Sequence, residues 1–208
     1  MRTRAAGSSY AWLASIFLVS VSNAQDESPR ATVSPQFDAR VYGRLAVYVE
    51  DRTQRRLAEG VIRAIDDEFT RVAIERGYTL ATRSDTETVL REVSIQASDY
   101  TEAALAQSAR ALNVNAIIVV SINGLDIEPF MSARDFFLGD GRKRSYRATG
   151  SLSARMISAD LAQVVWLSSH QVAGRVGGDR RTDYAAAAGV VLPEVAAAVA
   201  NTLPVRIL

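Results

Sequence analysis

Cysteine is absent from this 208-residue chain, and histidine and lysine each occur once. Without cysteine there is no disulfide, no thiolate metal site, no cysteine nucleophile and no lipidated N-terminal cysteine. The lone His170 excludes any site that needs two histidines. Lys143 is the only lysine, so the basic side is almost wholly arginine; with the abundant alanine, this reads as coding bias without mechanistic weight. Neither sign of charge dominates, at 24 basic against 23 acidic residues. Apolar residues make up 48% and charged residues 23%, the balance of a chain that folds. The length suits one domain with tails.

The first 24 residues read as a secretory signal peptide. Arg2 and Arg4 precede an apolar run over residues 11–21, and Ser22-Asn23-Ala24 places small residues before Gln25. Eleven apolar residues fall short of the roughly 20 that span a bilayer as a helix, and no later stretch is long and apolar enough either. Cleavage after Ala24 removes two arginines and no acid, leaving 184 residues with 22 basic and 23 acidic side chains, a formal charge of −1. A nearly neutral exported chain is a poor nucleic-acid binder. The expected location is the periplasm, peripheral to the outer membrane, with no transmembrane helix in the mature chain.

Residues 25–40 are polar, hold Pro29 and Pro35, show no period and read as a flexible leader; residues 41–208 form the domain. Residues 44–50 predict a first strand, ending at Asp51. Leu57, Val61, Ile65, Phe69 and Val72/Ala73 draw one apolar stripe, which predicts a helix over 53–76 with Gly77 as its left-handed cap. Asp66-Asp67-Glu68 is expected on its solvated side. Residues 78–83 predict a short strand, Ser84 with Glu87 a capping box, and Asp99 with Glu102 a second box opening a helix that stops at Asn113. Residues 116–122 are continuously apolar and mostly β-branched, the pattern of a central strand covered on both faces. Crossovers of this length predict parallel neighbours.

The pattern breaks over residues 126–145, expected to form a long loop or hairpin arm inserted in the domain. Clear alternation follows: Tyr146, Ala148, Gly150, Leu152, Ala154 and Met156 take one face of a strand, and Arg147, Thr149, Ser151, Ser153 and Arg155 the other. A return strand over 163–175 places Val164, Trp166, Ser168, His170 and Val172 in one phase. Residues 182–203 are alanine-rich and helical around Pro193. The fold class is therefore α/β: a single sandwich-like domain whose mixed sheet combines helical crossovers with a C-terminal antiparallel hairpin, packed by helices.

Chemical motifs are few. Ser168 and His170 share a strand face about 7 Å apart, beyond hydrogen-bond reach. Gly139-Asp140-Gly141 and Gly177-Gly178-Asp179 lack the fuller pattern of a phosphate loop, and nothing supplies the six oxygens calcium needs. Asp126 with Glu128, and Asp135 with Asp140, are the local carboxylate pairs a polymer-cleaving enzyme would need. No catalytic residue, metal ligand or cofactor is assigned. The constellation that stands out is Phe130, Phe136, Phe137 and Tyr146 around Arg142-Lys143-Arg144, a mix suited to a protein interface or an anionic membrane. Its plainer reading is a loop whose aromatics tuck onto the sheet.

Several phrases carry a resemblance: residues 44–47 leading to Asp51-Arg52, Arg83 after a Gly-Tyr strand, residues 89–98, residues 109–120, and the hairpin 152–168 with Val165-Trp166. In these the sequence resembles the CsgG/LpoB/TolB-N-terminal group of bacterial envelope proteins over residues 41–203. The resemblance implies an α/β module without catalysis that serves assembly, secretion or peptidoglycan-synthase regulation. The chain departs from the group's channel type, with no lipidated cysteine and one insert in place of two hairpins, so no pore of its own is expected. Its implied partners are other envelope proteins, with a homo-oligomer as one form, and no nucleic acid. The alternative is a protein that binds or modifies an envelope polymer, and a small-ligand or ion-binding module is a third reading.

Overall fold

The computed structural model describes residues 28–96, 101–130, 145–177 and 183–206. Six strands form one mixed sheet: β1 Arg30–Val33, β2 Arg44–Asp51, β3 Thr79–Leu80, β4 Ala116–Phe130, β5 Ser145–Ser158 and β6 Val164–Gly177. Their order is β1-β6-β5-β4-β2-β3. Helices α1 Glu59–Glu75, α2 Arg83–Gln96 and α3 Glu102–Ala111 make the crossovers between β2, β3 and β4, and α4 Asp183–Ala200 closes the chain. β2 runs parallel to β3 and β4, while β4, β5, β6 and β1 pair antiparallel. This is the expected fold class.

Two cores sit on opposite sides of the sheet. On the inner side α1 and α4 cover Leu45, Val47, Ile118, Val120, Leu152, Met156 and Trp166. On the outer side α2 and α3 cover Ala46, Ile117, Val119 and Ile157. The apolar run in β4 is therefore buried on both faces as expected, with residues 116–120 at most 1% exposed. All six inward residues of β5 are buried too, Tyr146 through Met156 in steps of two. At Gly150 α4 comes so close that an added Cβ would lie 2.8 Å from Val191 Cγ1 and 3.1 Å from Leu192 Cδ2.

The end of α4 is tied across the molecule. Arg76 donates to the carbonyls of Leu203 and Asn201, Tyr78 Oη to Pro204 O at 2.8 Å, and Trp166 Nε1 to Thr202 O at 3.2 Å. These bonds satisfy the carbonyls of the four residues that follow α4. Burial pushes the Tyr78 phenol up to about 12 against the opposing pull of Arg76 and Arg206. Gly77, at φ 88°, ends α1 in the left-handed region, as its position predicted.

Several expectations need correction. Residues 30–33 of the supposed leader form β1, paired with β6; all four are exposed, so an edge strand here needs no alternation. Helix α1 begins at Glu59, not residue 53, because Asp51 holds the intervening loop: Thr53 N and Oγ1 donate to its Oδ1 at 2.9 and 2.6 Å, and Leu57 N to its Oδ2 at 2.8 Å. Helix α2 starts at Arg83 and takes its cap from Thr82, whose Oγ1 accepts from Asp85 N at 3.2 Å, in place of a Ser84 box. Thr101 caps α3; Asp99 lies outside the described residues. The pattern break at residue 126 is not a strand end, since β4 continues to Phe130 past an irregularity between Ile122 and Gly124. In β6 a register shift between Trp166 and Val164 takes Val164 out of the Trp166 phase: it packs in the outer core.

Candidate functional site

Beyond Ile122 of β4 the sheet changes character. β2 pairs with β4 only through Ile122, and β1 pairs with β6 only through Ser169. The far halves of β4, β5 and β6 thus form a three-stranded arm. Helix α4 covers its inner face, where Gly150 and Gly174 lie against Val191. No helix covers its outer face among the described residues.

Register assembles that outer face. Thr149, Ser151 and Ser153 of β5 lie opposite Ala173, Gln171 and Ser169 of β6. Ser151, Thr149 and Arg147 face Gly124, Asp126 and Glu128 of β4 on the other side. Arg147 stands directly opposite Arg175, a like-charge pairing that costs a sheet stability unless something else compensates it. Arg147 and Arg155 form no ion pair or hydrogen bond among the described residues. Asn123 Nδ2 donates to Ser153 Oγ at 3.1 Å, and Ser121 Oγ to Glu50 Oε2 at 3.2 Å. The face is thus a flat band of hydroxyls, amides and arginines, with carboxylates along its β4 side. Residues 28, 30, 123, 151, 169 and 171 bound a shallow depression of about 370 Å³ on it.

Most of the aromatic–basic constellation falls outside the described residues. Phe130 is the last residue of β4; Phe136, Phe137, Arg142, Lys143 and Arg144 lie outside the described residues, as do Asp135 and Asp140. Tyr146 is described: it shares the inner side of β5 with Ala148, is 6% exposed, and its hydroxyl has no partner among the described residues. Its ring belongs to the core of the arm.

Among the described residues Ser168 and His170 do not form a catalytic pair. Ser168 Oγ is buried without a hydrogen-bond partner among the described residues, so His170 does not engage it. Asp126 and Glu128 are both exposed on one strand. No group of three or more metal-ligating side chains occurs among the described residues. No helix among them is long and apolar enough to cross a membrane.

One carboxylate departs from expectation. Asp66 is buried at 8% exposure, while Asp67 is exposed and Glu68 half-buried. Burial pushes its carboxyl above 3.8, against the pull of Arg83, whose Nη1 lies 3.7 Å away. Arg83 is itself held by Glu87, Nε to Oε1 at 2.7 Å. Asp51 shows the opposite balance. Burial raises it, but the donors from Leu57 and Thr53 together bring its carboxyl below the usual range. The sequence held no local signal for Asp66, because α2 buries it from 17 residues away.

No sequence-family model matches the chain, and no curated protein matches it. Solved structures similar to it include the PelC dodecamer from Paraburkholderia phytofirmans, at 12% identity over 83% of this chain and 96% of that one, TM-score 0.40. The LpoB C-terminal domain from Salmonella enterica is similar at 14% identity, covering 67% and 87%, TM-score 0.44. A minor lipoprotein from Acinetobacter baumannii follows at 8%, covering 78% and 91%, TM-score 0.40. At such identities and scores these likenesses assign no activity, and the function is argued from the chain's own surfaces.

Proposed function

We propose that the chain is an exported, non-enzymatic protein of the bacterial envelope that works by binding other proteins through the outer face of its arm. The observation that carries the reading is the half-covered arm. Its inner face is packed to the point that Gly150 has no room for a Cβ, while its outer face carries ordered polar side chains and no helix among the described residues. Arginine is enriched in partner faces, and their rims are polar. The signal-peptide layout of residues 1–24 supports a periplasmic setting, peripheral to the outer membrane. The finer roles implied by the resemblance, in assembly, secretion or regulation of a peptidoglycan synthase, belong to the same proposal. A homo-oligomer is its special case, with a second copy as partner. The sequence candidates Phe130, Phe136, Phe137, Arg142, Lys143 and Arg144 belong to the same proposal as further contact residues.

Pull-down from envelope extract tests it, with the wild type, an Arg147→Ser variant and a Phe136→Ala/Phe137→Ala variant. Specific protein recovery that falls with the arginine variant is expected. Equal recovery by all three proteins removes the arm from the function. Recovery lost with the phenylalanines alone confines the contact to those further residues.

A further inference from the structure

The sheet leaves a second backbone edge open, far from the arm. Among the described residues β3 pairs only with Arg44 and Leu45 of β2, and residues 46–51 have no strand neighbour on that side. Direction follows from the bonds present. Thr79 N donates to Gly43 O and Ala81 N to Leu45 O, whereas Asn115 N donates to Arg44 O and Arg52 N to Ile122 O. Odd-numbered residues of β2 therefore turn their amides and carbonyls to the β3 side, and even-numbered ones to β4. Val47 and Val49 point theirs at the open edge, where they find no partner among the described residues. Open edges are usually guarded by proline, charge or a bulge. The β4 edge of the arm has all three, in Pro129, Asp126 with Glu128, and the irregularity after Ile122. Ala46, Val47, Tyr48 and Val49 of β2 have none; the charges at Glu50 and Asp51 come at the end of the free stretch, where they bond Ser121 and the following loop.

This edge is the floor of a cleft of about 670 Å³ between α1 and α2. Leu57 and Ile62 on one wall and Leu90 on the other give it apolar sides. Six extended residues cover about 20 Å, the length of the free stretch of β2. Asp66 lines the same cleft, 8% exposed, and accepts no hydrogen bond among the described residues; its only cation, Arg83 at 3.7 Å, is beyond hydrogen-bond distance. A buried carboxylate without donors is costly, and a donor brought by an occupant relieves that cost. Of the other arginines lining the cleft, Arg56 neighbours the Asp51 carboxylate and Arg91 is already engaged.

We propose that the free edge of β2 takes an extended segment of a partner polypeptide as an added strand, with a lysine or arginine of that segment donating to Asp66. Backbone pairing at Val47 and Val49 holds the segment, and the apolar walls and Asp66 select its side chains. This surface is separate from the outer face of the arm, so each can fail without the other.

A displayed library of random heptapeptides, selected on the purified full chain, is the test. Enriched peptides are expected to carry lysine or arginine and to lack a central proline. A saturating synthetic copy should slow amide exchange at Val47 and Val49 about tenfold, the same tenfold by which Asp66→Asn should weaken its binding. Ile62→Glu, which blocks the wall, should abolish binding while circular dichroism reports an unchanged fold. The proposal is overturned if no sequence is enriched, if bound peptide leaves exchange at Val47 and Val49 unchanged, or if folded Asp66→Asn binds as well as wild type.

Discussion

The base of the sheet and its arm are made from the same strands but packed differently. At the base, helices lie on both faces, and β4 reads as an unbroken apolar run. In the arm a helix lies on one face, and β5 alternates apolar with polar at every step. Along β4 coverage sets the composition: residues 116–120, with helices on both faces, are all apolar, and Asp126 and Glu128 appear where a helix covers one face. The arm's polar side chains stand where a second layer would otherwise sit.

Breaking the base should cost most. Phe69 is fully buried between α1 and the sheet, so Phe69→Ala is expected to lose about 3–5 kcal/mol in denaturant unfolding. The inner face of the arm comes next. Gly150→Ala drives a methyl into Val191 and Leu192, with an expected loss of about 1–3 kcal/mol. An unchanged midpoint there would mean that α4 does not seat on β5 as described.

The two unusual carboxylates sharpen the contrast through pH. Asp51 lies below its ordinary 3.8 when folded, so its contribution is present above 3.8 and lost as pH falls through the folded value. Asp51→Asn should therefore lose about 1 kcal/mol at pH 7, with the gap closing in acid. Asp66 lies above 3.8, so its contribution is full below 3.8 and lost as pH rises through the folded value. The stability of Asp66→Asn relative to wild type should improve as pH climbs from below 3.8 to 7. The smallest effect is expected on the outer face of the arm: Arg147→Ser should stay within about 0.5 kcal/mol of wild type.

Much of this was legible in the residues, for identifiable reasons. The alternation in β5 and the stripe in α1 are periodic, and each periodic residue lands in a core. What could not be read depends on distant partners. Asp66 looks solvated beside Asp67 until α2 covers it with Arg83. The loop after β2 looks helical until Asp51 collects its amides. β1 has no pattern because an exposed edge strand needs none, and Val164 misleads because a register shift reverses its face. The aromatic–basic group was legible as a cluster, yet Tyr146 belongs with the alternating core, a distinction its own periodicity already carried.

The most direct test of the central claim is site-specific photo-crosslinking in native envelopes. A crosslinker replaces Ser151 or Gln171 on the outer face of the arm, or Glu194 on the exposed side of α4 as a control. The account predicts discrete crosslinked protein bands from the two arm positions and none from position 194. Equal labelling at all three, or no protein adduct from the arm, would contradict it.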